Sequence, residues 1–291
     1  MTATLALGQD RSGASPGAAS PPVLLLHGLT GAPADLQVVT KHLRRSGYAV
    51  EAPMLPGHGV DEAGLLKTGW RDWLEAAEQN LLRLTADGAP AVVGGLSMGA
   101  VLALALAARH PDRVRGVLCF SATLRYDGWV VPRSACFIPL LAHLPVLNRY
   151  RFKERPPYGI KDERLRAKME EMLLSGALAE AGLPYMPARS LAQNLRLIRR
   201  VKRDLHLIAA PMLVVHARED DITHIRNVEA MAASVKGPVT TLYLEDSYHL
   251  VTVDQERAQV ARAAKAFLDG LHGAGPKASS AAPALRALEP A

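Results

Sequence analysis

Residues 95–99 read Gly95-Leu96-Ser97-Met98-Gly99. A serine between glycines two residues away on either side is the arrangement that presents a nucleophile on a sharp strand-to-helix turn, where the neighbours must be small. Gly94, Gly95, Gly99 and Ala100 meet that demand. An apolar run ends just before Ser97, and an Ala/Leu-rich run begins just after it. A serine hydroxyl is a poor nucleophile at neutral pH, so it needs a base, usually His, which an acid must orient. Where such a serine tops a parallel sheet, the chain order is Ser, then Asp or Glu, then His.

That order prunes the ten histidines. Past position 208 only His216, His224, His249 and His272 remain. His216 lies inside an apolar strand pattern, His224 is too close to the candidate acids, and His272 ends the last helix pattern. His249 falls between a strand pattern and a helix pattern, where a general base belongs. The acid must follow the strand pattern 212–217, and Glu219, Asp220 and Asp221 all qualify. His27-Gly28-Leu29-Thr30-Gly31 follows the first strand pattern. A backbone N–H there, with that of the residue after the nucleophile, forms an oxyanion hole, which assigns Leu29 and Met98 as donors. Pro56-Gly57-His58-Gly59 reads as a turn with a structural histidine. No His/Cys/Asp cluster has zinc spacing and no phosphate or dinucleotide fingerprint occurs, so the expectation is no metal and no cofactor.

These groups need a frame. Apolar runs at 22–27, 48–53, 90–95, 115–120, 212–217 and 239–244 predict strands. Helical spacing marks 35–46, 70–84, 98–110 and 253–271. The alternation predicts an α/β fold, a mostly parallel central sheet with helices on both faces. Residues 124–208 break it: a Pro-broken apolar segment, a basic segment and helical patterns near 162–181 and 190–207, with no strand pattern. This is too long for a loop and reads as a mainly helical cap insertion. The expected division is a core of 21–123 and 209–272, a cap of 124–208, and Ser/Gly/Ala-rich tails at 1–20 and 273–291. In the cap, Trp129, Phe137, Ile138, Leu140, Leu141 and Leu144 offer either an acyl-contacting surface or packing against the sheet. Arg196, Arg199, Arg200, Lys202 and Arg203 form a basic helix face, read as solvated, with transient contact to an anionic lipid surface as the alternative.

With 291 residues, 49% hydrophobic and 21% charged, the chain has material for a large core and is not a disordered or disulfide-framed protein. Its two cysteines, Cys119 and Cys136, fit a reducing compartment. A formal charge of +6 permits anionic partners. With 5% aromatics and no recognition motif, no nucleic-acid partner is expected. The first basic residue, Arg11, follows the first apolar stretch, so no secretory signal is read. No run reaches the roughly 18 apolar residues of a membrane span. The expectation is a cytoplasmic protein without stable membrane insertion. The oligomeric state stays open.

The chain resembles the α/β-hydrolase family and is similar to small bacterial carboxylesterases and monoacylglycerol lipases. The resemblance rests on residues 24–36 (LLLHGLTGAPADL), Pro56-Gly57-His58-Gly59, residues 68–73, the Ser97 turn, Ala217-Arg218-Glu219-Asp220, and Tyr248-His249. It implies the α/β-hydrolase fold, a small-molecule ester substrate, and a cap that shapes an acyl pocket. It also implies Asp220 as the orienting acid, with Asp221 as runner-up. Tyr248 stands where such enzymes often have Gly, and Leu29 where they often have Phe; both bear on acyl and alcohol preference. The implied reaction is ester cleavage by Ser97 with His249 as base, its rate falling on the acid side of neutrality as the imidazole protonates. Thioester transfer, amide hydrolysis and a non-catalytic binding role are the alternatives.

Overall fold

The computed structural model describes residues 20–59, 61–132, 150–153, 155–175, 183 and 185–273. Six strands form the main sheet: β1 (Val23–Leu26), β2 (Val50–Glu51), β3 (Ala91–Leu96), β4 (Val114–Phe120), β7 (Met212–Ala217) and β8 (Val239–Leu244). Their order is β2-β1-β3-β4-β7-β8, and every adjacent pair is parallel. All strand C-termini therefore lie on one edge, where an open α/β sheet places its site.

The near-continuous apolar runs have a direct cause: both faces are covered. Along β1, Leu24 and Leu26 join one apolar cluster while Val23 and Leu25 join the other. The first cluster holds α3 (Trp70–Leu84), α4 (Met98–Arg109) and much of the helix Ala188–Asp204. The second holds α1 (Gln37–Arg45) and the closing helix Arg257–Gly273, which pack on each other. Residues Met98–Ala108 of α4 are all buried, which is why its sequence is apolar all round. Each fully buried Leu or Val contributes about 1.5–3 kcal/mol. Cys119 is buried in β4, as a small core residue, and burial pushes its thiol up to about 12.

Between β4 and β7 the chain leaves the sheet. Two helices there, α5 (Glu163–Ser175) and α6 (Ala188–Asp204), answer the two helical patterns. The expectation of no strand in this stretch is corrected. β5 (Arg151–Lys153) and β6 (Tyr185–Pro187) pair antiparallel. Three-residue strands are too short for alternation to stand out from a basic loop. Arg151 reaches across to Glu62 on α2 (Glu62–Lys67), Nε–Oε1 2.7 Å and Nη2–Oε2 2.7 Å, and Tyr185 donates to the same carboxylate. Helix α2 and the short α7 (Arg226–Ala232) leave no readable pattern in the sequence, since six or seven residues carry too little periodicity. The closing helix, α8, begins at Arg257 rather than near 253. The reason is Asp254, whose carboxylate accepts N–H groups from Tyr248, Lys161, Asp162 and Gln255 and holds 248–255 in a folded loop. Among the described residues no helix is long and apolar enough to cross a membrane.

Candidate active site

Ser97 sits between the end of β3 and the first residue of α4, with φ 55° and ψ −113°. A non-glycine residue there stores about 1–3 kcal/mol of strain. The flanking glycines make the turn sterically feasible. A Cβ on Gly99 would lie 1.9 Å from the Leu26 carbonyl oxygen, and one on Gly95 would lie 2.3 Å from the same atom. The start of α4 is thus pressed against the end of β1, and its positive dipole end faces the sheet's C-terminal edge. The Ser97 Oγ lies 3.1 Å from Thr123 Oγ1. Thr123 is fully buried and donates its own hydrogen to Ser121 O at 3.2 Å. With one hydroxyl hydrogen already used, Thr123 accepts from Ser97.

The turn after β1 lies beside the nucleophile: a Cβ on Gly28 would be 3.6 Å from Ser97 Cβ. Gly31 N–H closes the turn onto Gly28 O at 3.2 Å, and Thr30 adopts φ 63°. Leu29 and Met98 are both buried, Leu29 in this turn and Met98 one residue after Ser97. His27 anchors the turn from below. Its Nε2 accepts from Leu55 N–H at 3.0 Å, so its Nδ1 carries the hydrogen and donates to Gly28 O at 2.9 Å. His58 packs edge-on against His27 (centroids 4.9 Å) and Trp73 (5.6 Å), in keeping with its structural reading.

Burial holds both imidazoles neutral, His27 down at about 3 and His58 at about 4. The unfolded chain titrates near about 6.5, so below that pH the unfolded state binds more protons. Stability is therefore complete above about 6.5 and is lost as pH falls toward 4 and 3. Between pH 7 and pH 5 each histidine costs about 2 kcal/mol. Asp35, pushed up to about 6 by burial, takes up a proton over the same range and offsets about 1 kcal/mol. Urea unfolding at the two pH values tests this: His58→Gln should lose about 2 kcal/mol less than wild type. Equal losses would contradict the assignment.

Past β7 and β8, the acid and base loops meet. His249 Nδ1 lies 3.0 Å from Asp220 Oδ1 and 2.9 Å from Oδ2, and both residues are buried. Asp220 Oδ1 also accepts from Ile222 and Thr223 N–H, each at 2.9 Å. Burial opposes ionisation of Asp220, but the His249 imidazole, His216 and the Thr223 N–H outweigh it and hold the carboxyl below its ordinary range. His216 donates to Thr223 O at 3.0 Å and lies 3.7 Å from Asp220 Oδ2; burial lowers its pKa. Asp221 faces elsewhere. It accepts from the backbone N–H of His249 and of Gly159, each at 3.2 Å, and burial raises its pKa. Glu219 points outward to Lys161.

The structure thus brings Asp220 to the imidazole of His249, and the Leu29 turn to Ser97. Trp129 is 59% exposed; its Nε1 donates to Glu219 O at 3.0 Å and its ring meets Tyr248 edge-on at 5.5 Å. Phe137, Ile138, Leu140, Leu141 and Leu144 lie outside the described residues, as does Cys136. On the basic helix, Arg199, Arg200, Lys202 and Arg203 are exposed, and Arg200 pairs with Asp204. Sequence reasoning missed Thr123 and the bridging role of Asp221, because a hydroxyl or carboxylate in a loop carries no periodic signal.

Comparison with known proteins bears on the fold and the family. A carboxylesterase of Bacillus subtilis (strain 168) is 27% identical over 251 residues, covering 86% of this chain and 92% of that protein. A thermostable monoacylglycerol lipase of Bacillus sp. (strain H-257) is 27% identical over 239 residues, covering 82% and 86%. Among solved structures, one from a study of LipS and LipT, two metagenome-derived lipolytic enzymes, superposes with a TM-score of 0.73 at 23% identity, covering 87% of this chain and 98% of that one. The family model described as serine aminopeptidase, S33, matches residues 17–256. Serine-bearing turn, parallel sheet and matched span agree, and the chain belongs to the serine aminopeptidase S33 family of α/β-hydrolases.

Proposed function

We propose that this enzyme is a carboxylic ester hydrolase acting on short- to medium-chain acyl esters or monoacylglycerols through Ser97, His249 and Asp220. The observation that carries the reading is the buried His249 Nδ1 to Asp220 contact at 2.9–3.0 Å, on the same sheet edge as a serine held at φ 55°. The relatives named carboxylesterase and monoacylglycerol lipase support the substrate class.

The Ser97 hydroxyl first turns from Thr123 to His249 Nε2. Its oxygen attacks the ester carbonyl as its proton passes to Nε2. The N–H groups of Leu29 and Met98 receive the tetrahedral oxyanion, and loss of one such donor costs about 10²–10³ in rate. Asp220 keeps the Nδ1 hydrogen in place and stabilises the imidazolium. Nε2–H then protonates the leaving alcohol oxygen, and an acyl-enzyme forms. Water, deprotonated by Nε2, attacks the acyl carbon; collapse returns the proton to Ser97 Oγ and releases the acid. Trp129 and the cap residues Phe137, Ile138 and Leu141 are assigned to the acyl chain.

The test is hydrolysis of p-nitrophenyl esters from acetate to palmitate, beside monoacylglycerols and aminoacyl p-nitroanilides. Ester turnover that requires Ser97 supports the reading, and its chain-length optimum sizes the pocket. Turnover of the anilides alone would favour the aminopeptidase chemistry in the family's description. Folded protein idle on every ester would overturn the proposal.

A further inference from the structure

The cap segment 158–162 is stitched to both loops that carry the acid and the base. Gly159 N–H donates to Asp221 Oδ2 at 3.2 Å, and Gly159 O accepts from Leu250 N–H at 2.8 Å. Lys161 N–H and Asp162 N–H donate to Asp254 Oδ2 and Oδ1 at 2.7 and 3.0 Å, while Tyr248 N–H shares Oδ2 at 2.8 Å. Lys161 Nζ adds contacts to Glu219 (2.7 Å) and Asp246 (3.2 Å). On its other side the acid loop is held by residues where the chain first leaves the sheet: Val130 N–H donates to Asp221 O and Gly128 N–H to Ile222 O. Asp221 is the point where these links meet the base, since its Oδ1 takes the backbone N–H of His249 itself. Both donors are main-chain groups, and Asp221 is nearly fully buried.

We propose that Asp221 is a positioning residue for His249: its carboxylate ties the histidine's backbone to cap residue Gly159, so that the seating of the cap sets where the imidazole stands. This rests on the triad reading above. Neither Asp221 oxygen needs to touch substrate for this role. A carboxylate fits it because two N–H donors approach two different oxygens; an amide offers only one acceptor and sets its NH₂ against the other donor. Gly159 is matched to the same task. Its φ is +72°, and a Cβ there would sit 3.2 Å from His249 Cβ and 3.0 Å from Leu250 Cγ.

Among the described residues, the charged and titratable groups on the elements beside His249 include Asp220, Asp221 and His216 on the β7 side, Tyr158 and Lys161 on the cap segment, and Asp246, Tyr248 and Asp254 on its own loop. Removing the Asp221 charge withdraws one carboxylate that favours the imidazolium.

Asp221→Asn, Gly159→Ala, Asp220→Asn and Ser97→Ala are compared on one ester, with kcat, KM and the pH profile of kcat/KM normalised to active sites titrated with a phosphonate ester. Asp221→Asn should lower kcat about ten- to hundredfold, leave KM within about threefold, and move the acid-side limb of the profile, where His249 protonates, to lower pH. Gly159→Ala keeps both carboxylates, so it should lower kcat without moving that limb. A loss confined to the titrated fraction, with an unchanged profile, would reduce Asp221 to a folding role and overturn the inference. So would wild-type kcat in both Asp221→Asn and Gly159→Ala. If Ser97→Ala or Asp220→Asn stays active, the triad reading itself fails and takes this inference with it. If those two lose activity and Asp221→Asn does not, only this inference fails.

Discussion

Ser97→Ala should lower kcat for ester hydrolysis by about 10⁶-fold. Without Oγ no acyl-enzyme forms, and what remains over water is the rate supplied by binding and the oxyanion hole, about 10³–10⁴. The loss must be chemical rather than structural. Alanine keeps the Cβ and the φ of 55°, and gives up one hydrogen bond to Thr123 worth about 1 kcal/mol. Thermal unfolding of Ser97→Ala should therefore stay within a few degrees of wild type. Ser97→Gly, which relieves the strained φ, should melt above Ser97→Ala while being equally inactive. Activity within tenfold of wild type in either variant would remove Ser97 from the mechanism.

Asp220→Asn should lower kcat by about 10⁴-fold, and the surrounding hydrogen bonds say why. Ile222 and Thr223 both donate N–H into Asp220 Oδ1. An asparagine must keep its carbonyl oxygen there, which leaves its NH₂ facing His249 Nδ1. Two donors cannot pair, so the imidazole moves its hydrogen to Nε2, and the nitrogen meant to take the serine proton is already occupied. KM should change little, since the buried Asp220 carboxylate is taken up by His249 and two backbone N–H groups. Paired kcat and KM measurements check this. A loss below tenfold, or a larger loss in Asp221→Asn, would move the acid role to the neighbouring residue.

What the sequence made legible is what sterics and chain order impose. Gly95 and Gly99 are spaced by the demand that α4 start against Leu26, and that demand is visible as a motif. The six main strands were legible because both faces of the sheet are covered. Asp220 was separable from Glu219 and Asp221 only through family resemblance, because three acidic residues in one loop look alike until a fold aims them. The links that hold the site together were not legible. Asp221 meets the His249 backbone across 28 positions, and Asp254 meets Lys161 across 93. Thr123 reaches Ser97 across 26. Such contacts use common residue types and leave no local pattern. The same holds for β5 and β6, too short to alternate, and for the late start of α8, where Val251 and Val253 extend the apolar spacing but the Asp254 carboxylate folds the chain into a loop.

The most direct measurement is covalent labelling of the wild-type enzyme with a p-nitrophenyl alkylphosphonate, followed by peptide mapping by mass spectrometry. One phosphonyl group per chain is expected on Ser97, with activity lost in proportion to labelling and no adduct in Ser97→Ala. Stoichiometric labelling at another residue, such as Ser121, or full activity after Ser97 is modified, would contradict it.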